Sequence, residues 1–95
     1  MRTELFEWDD RKAAINLRKH RVGFLEAITV FDDVYALIEP DSAHSVQESR
    51  EKVTGFSEKN RVLLVVYVDL KEHIRIISAR KATTEERRKY ESQFE

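Results

Sequence analysis

Two periodicities divide this chain. Up to about residue 33 most apolar positions recur at helical spacing; beyond it they alternate or run together, as they do in strands. The N-terminal exception is ELFEW (4–8), whose imperfect alternation of apolar and acidic residues predicts a short strand. Asp9 or Asp10 then offers a carboxylate to orphan backbone N–H groups, which predicts a first helix over about 10–20. Ala13 and Leu17, four apart with Ala14 beside them, form its expected core stripe. After Gly23, the residues Phe24, Ala27, Ile28 and Phe31 fall at i, i+3, i+4 and i+7, the pattern of a second amphipathic helix. Asp32 and Asp33 oppose the negative end of its dipole and should stop it there.

The remainder reads as sheet. VYALIE (34–39) is a strand closed by Pro40, and 41–50 is a polar loop. EKVTGF (51–56) is a strand, SEKN (57–60) a turn, and RVLLVVYVD (61–69) a strand apolar on both faces, hence central and covered on both sides. LKEH (70–73) is the next turn and IRIISARK (74–81) the last strand. The short turns make 51–81 an antiparallel meander. Thr83 and Glu86 form an S/T-x-x-E capping box, so a terminal helix should begin near residue 84. The predicted order is β-α-α-β-β-β-β-α, an α+β two-layer fold with two N-terminal helices and one C-terminal helix, in a single domain over 1–95.

Composition narrows the class. Cysteine is absent, which excludes disulfides, zinc–thiolate sites and cysteine nucleophiles and suits a reducing cytoplasm. The first ten residues hold no apolar segment of the signal-peptide kind, and the longest apolar run, VLLVVYV (62–68), is far below the roughly 20 residues of a membrane helix. A cytoplasmic protein is expected, without membrane or cofactor. The net charge of −1 hides a separation. Arg11, Lys12, Arg18, Lys19 and Arg21 stand together with no acid among them, whereas Asp32, Asp33, Glu39, Asp41 and Glu48 stand together with no Lys or Arg. Such a molecule can offer a basic face to a polyanion despite its neutral total.

Candidate chemistry gathers in two places. On the first helix Lys12, Asn16 and Lys19 lie close by angle, with His20 at the edge of the same stripe, so two ammonium groups, an amide and an imidazole would face one way, opposite Ala13 and Leu17. Such a face suits a phosphodiester and a proton carrier near neutral pH. Taken alone, though, it reads as an ordinary solvated helix face with basic residues at its negative end. In the last strand Arg75 and Arg80 are five apart, which on a regular strand points them to opposite faces. An arginine fork suits phosphate, yet Glu72, Glu85 and Glu86 are equally available as ion-pair partners. DSAHSVQE (41–48) contains Asp41, His44, Ser45 and Glu48, but neighbours on one loop do not make a hydrolytic triad. His20, His44 and His73 lack metal-ligand spacing, so no metal site is expected, and His73 in its turn reads as exposed and inert. Phe6, Trp8, Phe24, Phe31 and Phe56 read as packing, and Tyr67 as a core tyrosine.

The segments WDDRKAAINLRKHRV, GFLEAITVFDD, HSVQESR, GFSEKNRVLLVVYV and IRIISARKATTEERRKYE, in this order from about residue 6 to 91, resemble the BrnT toxins of bacterial type II toxin–antitoxin systems. The resemblance implies a RelE-like fold, a metal-independent endoribonuclease that blocks translation, an RNA substrate, and a hetero-oligomer with a BrnA-type antitoxin of the ribbon-helix-helix kind. The family's marked polar positions fall on Lys12, Asn16, Lys19, His20, His44, Glu48, Arg50, Arg75, Ser78 and Arg80. After the Lys-His pair the family usually has glycine; this chain has Arg21. On that basis His20 and Lys19 are the expected proton-transfer groups, and Arg75 and Arg80 the phosphate-stabilising ones. Lys12, Asn16, Arg50 and Lys81 are expected to bind RNA. A catalytically inactive antitoxin-binding or nucleic-acid-binding regulatory module is the alternative.

Overall fold

The computed structural model describes residues 1–42 and 49–95; the expected loop residues His44, Ser45 and Glu48 lie outside this set. Chain order is β1 (Phe6–Glu7), α1 (Asp10–His20), α2 (Phe24–Ala27) running into a 3-10 turn (Ile28–Asp32), β2 (Leu37–Pro40), β3 (Glu51–Phe56), β4 (Val62–Asp69), β5 (Ile74–Lys81) and α3 (Thr84–Ser92). The five strands form one sheet in the order β1-β5-β4-β3-β2, antiparallel except for β1, which joins β5 in parallel. The α+β class, the meander and the central place of the doubly apolar strand are as expected.

Both capped helices start where their side chains dictate. Asp9 accepts the Lys12 N–H at 3.0 Å and opens α1. Thr83 accepts the Glu86 N–H at 3.1 Å while Glu86 accepts the Thr83 N–H at 2.8 Å, closing the capping box of α3.

The second helix departs from expectation, holding only one α-turn before tightening to 3-10 geometry. The β-branched run Ile28, Thr29, Val30 loses rotamer freedom in an α-helix. In addition, the Thr29 hydroxyl donates to the Glu26 carbonyl at 2.6 Å and accepts the Glu58 N–H at 3.0 Å. Gly55 lets this turn press onto β3: a Cβ there would meet Val30 Cγ1 at 2.8 Å. The following strand begins at Leu37 rather than at residue 34. Asp33 accepts the Tyr35 N–H through its side chain at 2.9 Å and the Ala36 N–H through its carbonyl at 3.1 Å, which holds 33–36 in a turn.

One sheet face carries Val53, Leu63, Val65, Tyr67, Ile76 and Ala79, packed against Trp8, Val22, Phe24, Ala27 and Val30. Phe31 bridges Phe6 and Tyr67, with ring centroids 5.1 Å from each. Phe56, expected in the core, is instead 44% exposed, because it pairs with Val62 at the end of the opposite face. A buried carboxylate ties the corner between α1 and α2 to the β3–β4 turn. Glu26 accepts from Ser57 Oγ at 2.7 Å and from Arg61 Nε and Nη2 at 2.8 and 2.6 Å, while Arg61 Nη2 also donates to the Arg21 carbonyl at 2.9 Å. The Arg61 guanidinium holds Glu26 below the usual carboxylate range, against the opposing effect of burial.

Candidate nucleic-acid interface

A register shift in the sheet changes the geometry expected of the two strand arginines. Val66 pairs with Ser78 but Tyr67 pairs with Ile76, so Ile77 is an extra residue on β5. The bulge resets the alternation. Arg75 lies opposite Val68, Ser78 opposite Val66 and Arg80 opposite Leu64, three β4 residues of one face. Arg75, Ser78 and Arg80 therefore share a face, the one turned away from α1 and α2, rather than standing on opposite faces. Pairing continues the row from Ser78 and Val66 to Lys52 on β3 and Glu39 on β2. Lys52 thus adds a cation that sequence reasoning passed over. Its alternation within EKVTGF carried the signal, since Lys52 and Thr54 must face away from Val53.

Carboxylates hold both arginines. Arg80 Nη1 and Nη2 donate to the two oxygens of Glu86 at 2.8 and 3.1 Å, a bidentate fork, and Nη1 also donates to the Lys81 carbonyl at 3.2 Å. The Arg80 guanidinium drives the Glu86 carboxyl down to about 2, and the same bond raises Arg80 further. Glu86 therefore has two tasks, capping α3 and aiming Arg80. Lys89, on the same helix, donates to both oxygens of Glu39 at 3.1 Å, so α3 spans this face from β5 to β2. Arg75 Nε donates to Glu7 Oε2 at 3.0 Å, and Glu7 stands opposite Arg75 in the parallel β1–β5 pair. The Arg75 hydrogen bond is the chief cause of a lowered Glu7 carboxyl. Glu7 Oε1 bonds His73 Nε2. His73 is therefore half-buried and engaged by a carboxylate, not exposed and inert as its turn position suggested. Glu86 is one of the three ion-pair partners the sequence offered, and Glu7, which it did not offer, holds Arg75.

On α1 the expected stripe is turned inward. Asn16 is the buried residue of this helix at 6% exposure, while Leu17 is 52% exposed. Asn16 Nδ2 donates to the carbonyls of Ala79 and Val22 at 2.8 and 2.9 Å, and Oδ1 accepts the Ala79 N–H at 3.1 Å. The reason lies in strand length: β1 pairs only with Ile74 and Arg75, so the outer edge of β5 beyond them needs other partners. A carboxamide supplies one donor and one acceptor to Ala79; an Ala13/Leu17 core stripe would have left those groups bare. Asn16 is accordingly a backbone clamp and not part of an exposed RNA-facing stripe. Lys12 and Lys19 remain exposed and His20 is half-buried, on the turns to either side of Asn16. The clamp seats them beside the strand that carries Ser78 and Arg80.

The other expected residues are more dispersed. Arg50 is half-buried at the entrance to β3, and its carbonyl accepts the Asp41 N–H at 2.9 Å. Lys81 is exposed and pairs with Leu63, so it belongs to the face opposite Arg80. Arg21 ends α1 in the left-handed conformation, φ 60°, its N–H bonded to the Leu17 carbonyl at 2.9 Å; this is the place where a glycine is favoured.

Comparison with known proteins agrees with this architecture. The family model described as "Ribonuclease toxin, BrnT, of type II toxin-antitoxin system" matches residues 8–86. The fold is similar to the 1.1 Å crystal structure of the Brucella abortus ribonuclease toxin BrnT, with a TM-score of 0.66 and 21% identity over 86% of this chain and 100% of that one. No match is found among curated proteins. With a family match spanning most of its length and a sheet and helices of the same fold, this chain belongs to the BrnT family of ribonuclease toxins of type II toxin–antitoxin systems.

Proposed function

We propose that this toxin is a metal-independent endoribonuclease that cleaves RNA in the cytoplasm, blocks translation, and is neutralised by a BrnA-type ribbon-helix-helix antitoxin. The observation that carries the reading is the bulge at Ile77, which gathers Arg75, Ser78 and Arg80 on one face in the same row system as Lys52. A scissile phosphate meets there the cations needed to offset the charge that builds as cleavage proceeds. The 2′-oxygen attacks the adjacent phosphorus, the bond to the 5′-oxygen breaks, and a 2′,3′-cyclic phosphate remains. One group takes the 2′-hydroxyl proton and another delivers a proton to the leaving 5′-oxygen. His20 carries proton transfer, with Lys19 as its substitute, and Arg75 and Arg80 stabilise the phosphate. Lys12 and Arg50 bind the flanking backbone. Glu7 and Glu86, the carboxylates next to these arginines, each hold and orient one of them.

The test is cleavage of an RNA oligonucleotide by the purified chain in excess EDTA, with 2′,3′-cyclic or 3′-phosphate ends expected on the products. Activity lost on chelation and restored by Mg²⁺ would sink the mechanism. In cells, expression of the chain alone should arrest growth and co-expression of its antitoxin should relieve it; unimpaired growth with folded toxin present would point to a decayed, non-catalytic module.

A further inference from the structure

The inward turn of Asn16 leaves the expected core stripe of α1 on the surface, and this has a second consequence. Ala13, Ala14 and Leu17 line a groove of about 250 Å³ together with Met1, Trp8 and Leu25. Leu17 and Leu25 are 52% and 60% exposed, large apolar side chains on two adjacent elements with water over them. A second groove, of about 520 Å³, continues from Ala14 and Leu17 to Arg18 and Arg21. By helical angle Leu17 and Ala14 lie on the flank of α1 away from Lys12 and Lys19, so this surface is distinct from the RNA-facing stripe. From Arg11 to Leu25 the chain carries five cations and no Asp or Glu.

We infer that this groove is the docking site of the antitoxin, through an amphipathic segment whose apolar side chains seat between Leu17 and Leu25 and whose Asp and Glu residues meet Arg18 and Arg21. The inference rests on the family assignment, which supplies an antitoxin as partner. Charge decides between occupants. In a symmetric pair, a second copy of this chain would bring its own cationic rim against the first, at a cost in like-charge repulsion. RNA would satisfy the rim but leave the exposed leucines without an apolar partner. An acidic amphipathic protein segment satisfies both, and an anchor in a pocket ringed by charges is the usual anatomy of a tight interface. The groove holds none of Lys12, Lys19, Arg75 and Arg80, so the segment seated in it anchors the antitoxin without itself occupying the phosphate site.

The experiment measures binding of this chain to its antitoxin, by calorimetry, for the parent, Leu17→Glu with Leu25→Glu, Leu17→Ala with Leu25→Ala, and Ile15→Glu. Ile15 is 48% exposed on the outer side of α1 and serves as the control. Each groove pair should weaken binding roughly 100-fold or more, the control should stay within about threefold of the parent, and all variants should keep RNA cleavage. The alanine pair stands in for the glutamate pair if the latter lacks a cooperative thermal transition. Parent-like affinity in a folded groove variant, or equal loss in the Ile15 control, overturns the groove. Loss of RNA cleavage by the folded groove variants would reassign it to substrate. Absence of any binding by the parent would instead remove the partner on which the inference rests.

Discussion

Asn16 and Ala79, sixty-three residues apart, exchange both polar groups of one carboxamide with both polar groups of one backbone unit. The clamp is short and buried, and it fixes the basic helix against the strand that bears Ser78 and Arg80. Asn16→Ala should therefore cost stability, because each backbone group left unpaired loses about 1–3 kcal/mol. Asn16→Asp should be worse at neutral pH, since a carboxylate would face the carbonyls of Ala79 and Val22, and should recover partly once that acid is protonated. Denaturant titrations at neutral and mildly acidic pH check both. Equal stability of the two variants at both pH values would count against the clamp.

Arg80 and Arg87 separate phosphate stabilisation from charge clustering. Arg80 is forked by Glu86 on the sheet face, whereas Arg87 is 3.9 Å from Glu91, four residues on along the exposed side of α3. Arg80→Ala should lower RNA cleavage by about 10²-fold or more, the scale of losing one donor to developing charge. Arg87→Ala should cost little, as exposed ion pairs contribute roughly 0–1 kcal/mol. Single-turnover cleavage rates on folded variants decide the matter, and equal losses would refute the phosphate role.

Acid should weaken this fold through Glu86 and Glu26. Both carboxyls are lowered in the folded chain by their arginine partners, Glu86 to about 2. A folded-state value below the unfolded one, about 4.3 for Glu, means that the contribution is fully present above that value and fades as pH falls from it toward 2. Glu86→Gln should flatten this acid limb in thermal melts between pH 5 and about 2. A melting profile as steep as the parent's would contradict the Arg80–Glu86 coupling.

Arg21→Gly should stabilise the protein. The left-handed backbone at Arg21 costs a residue with a Cβ roughly 1–2 kcal/mol that glycine avoids. The Arg61 bond to this position uses the backbone carbonyl, so the substitution leaves it in place. The melting temperature should rise; an unchanged or lower value would show that glycine's greater unfolded-state entropy offsets the relief.

Local chemistry was legible in the sequence wherever it acts over a few residues. Asp9 and the Thr83/Glu86 box set the starts of α1 and α3, alternation and turn spacing set β3, β4 and β5, and the doubly apolar run marked the central strand. The family match was likewise written in the order of short motifs. Tertiary structure decided what depends on groups distant in sequence. The bulge at Ile77 brought Arg75 to the side of Arg80, since strand parity holds only while pairing is regular. The unpaired edge of β5 drew Asn16 inward and left Leu17 in water, because satisfying buried backbone groups outranked a weak apolar stripe. Glu7 and Glu86 acquired their arginines through the β1–β5 pairing and the seating of α3. The sequence offered Glu86 both as the capping acid and as one of three candidate partners for the arginines; that Glu86, and not Glu72 or Glu85, forks Arg80 followed only from where the fold placed α3.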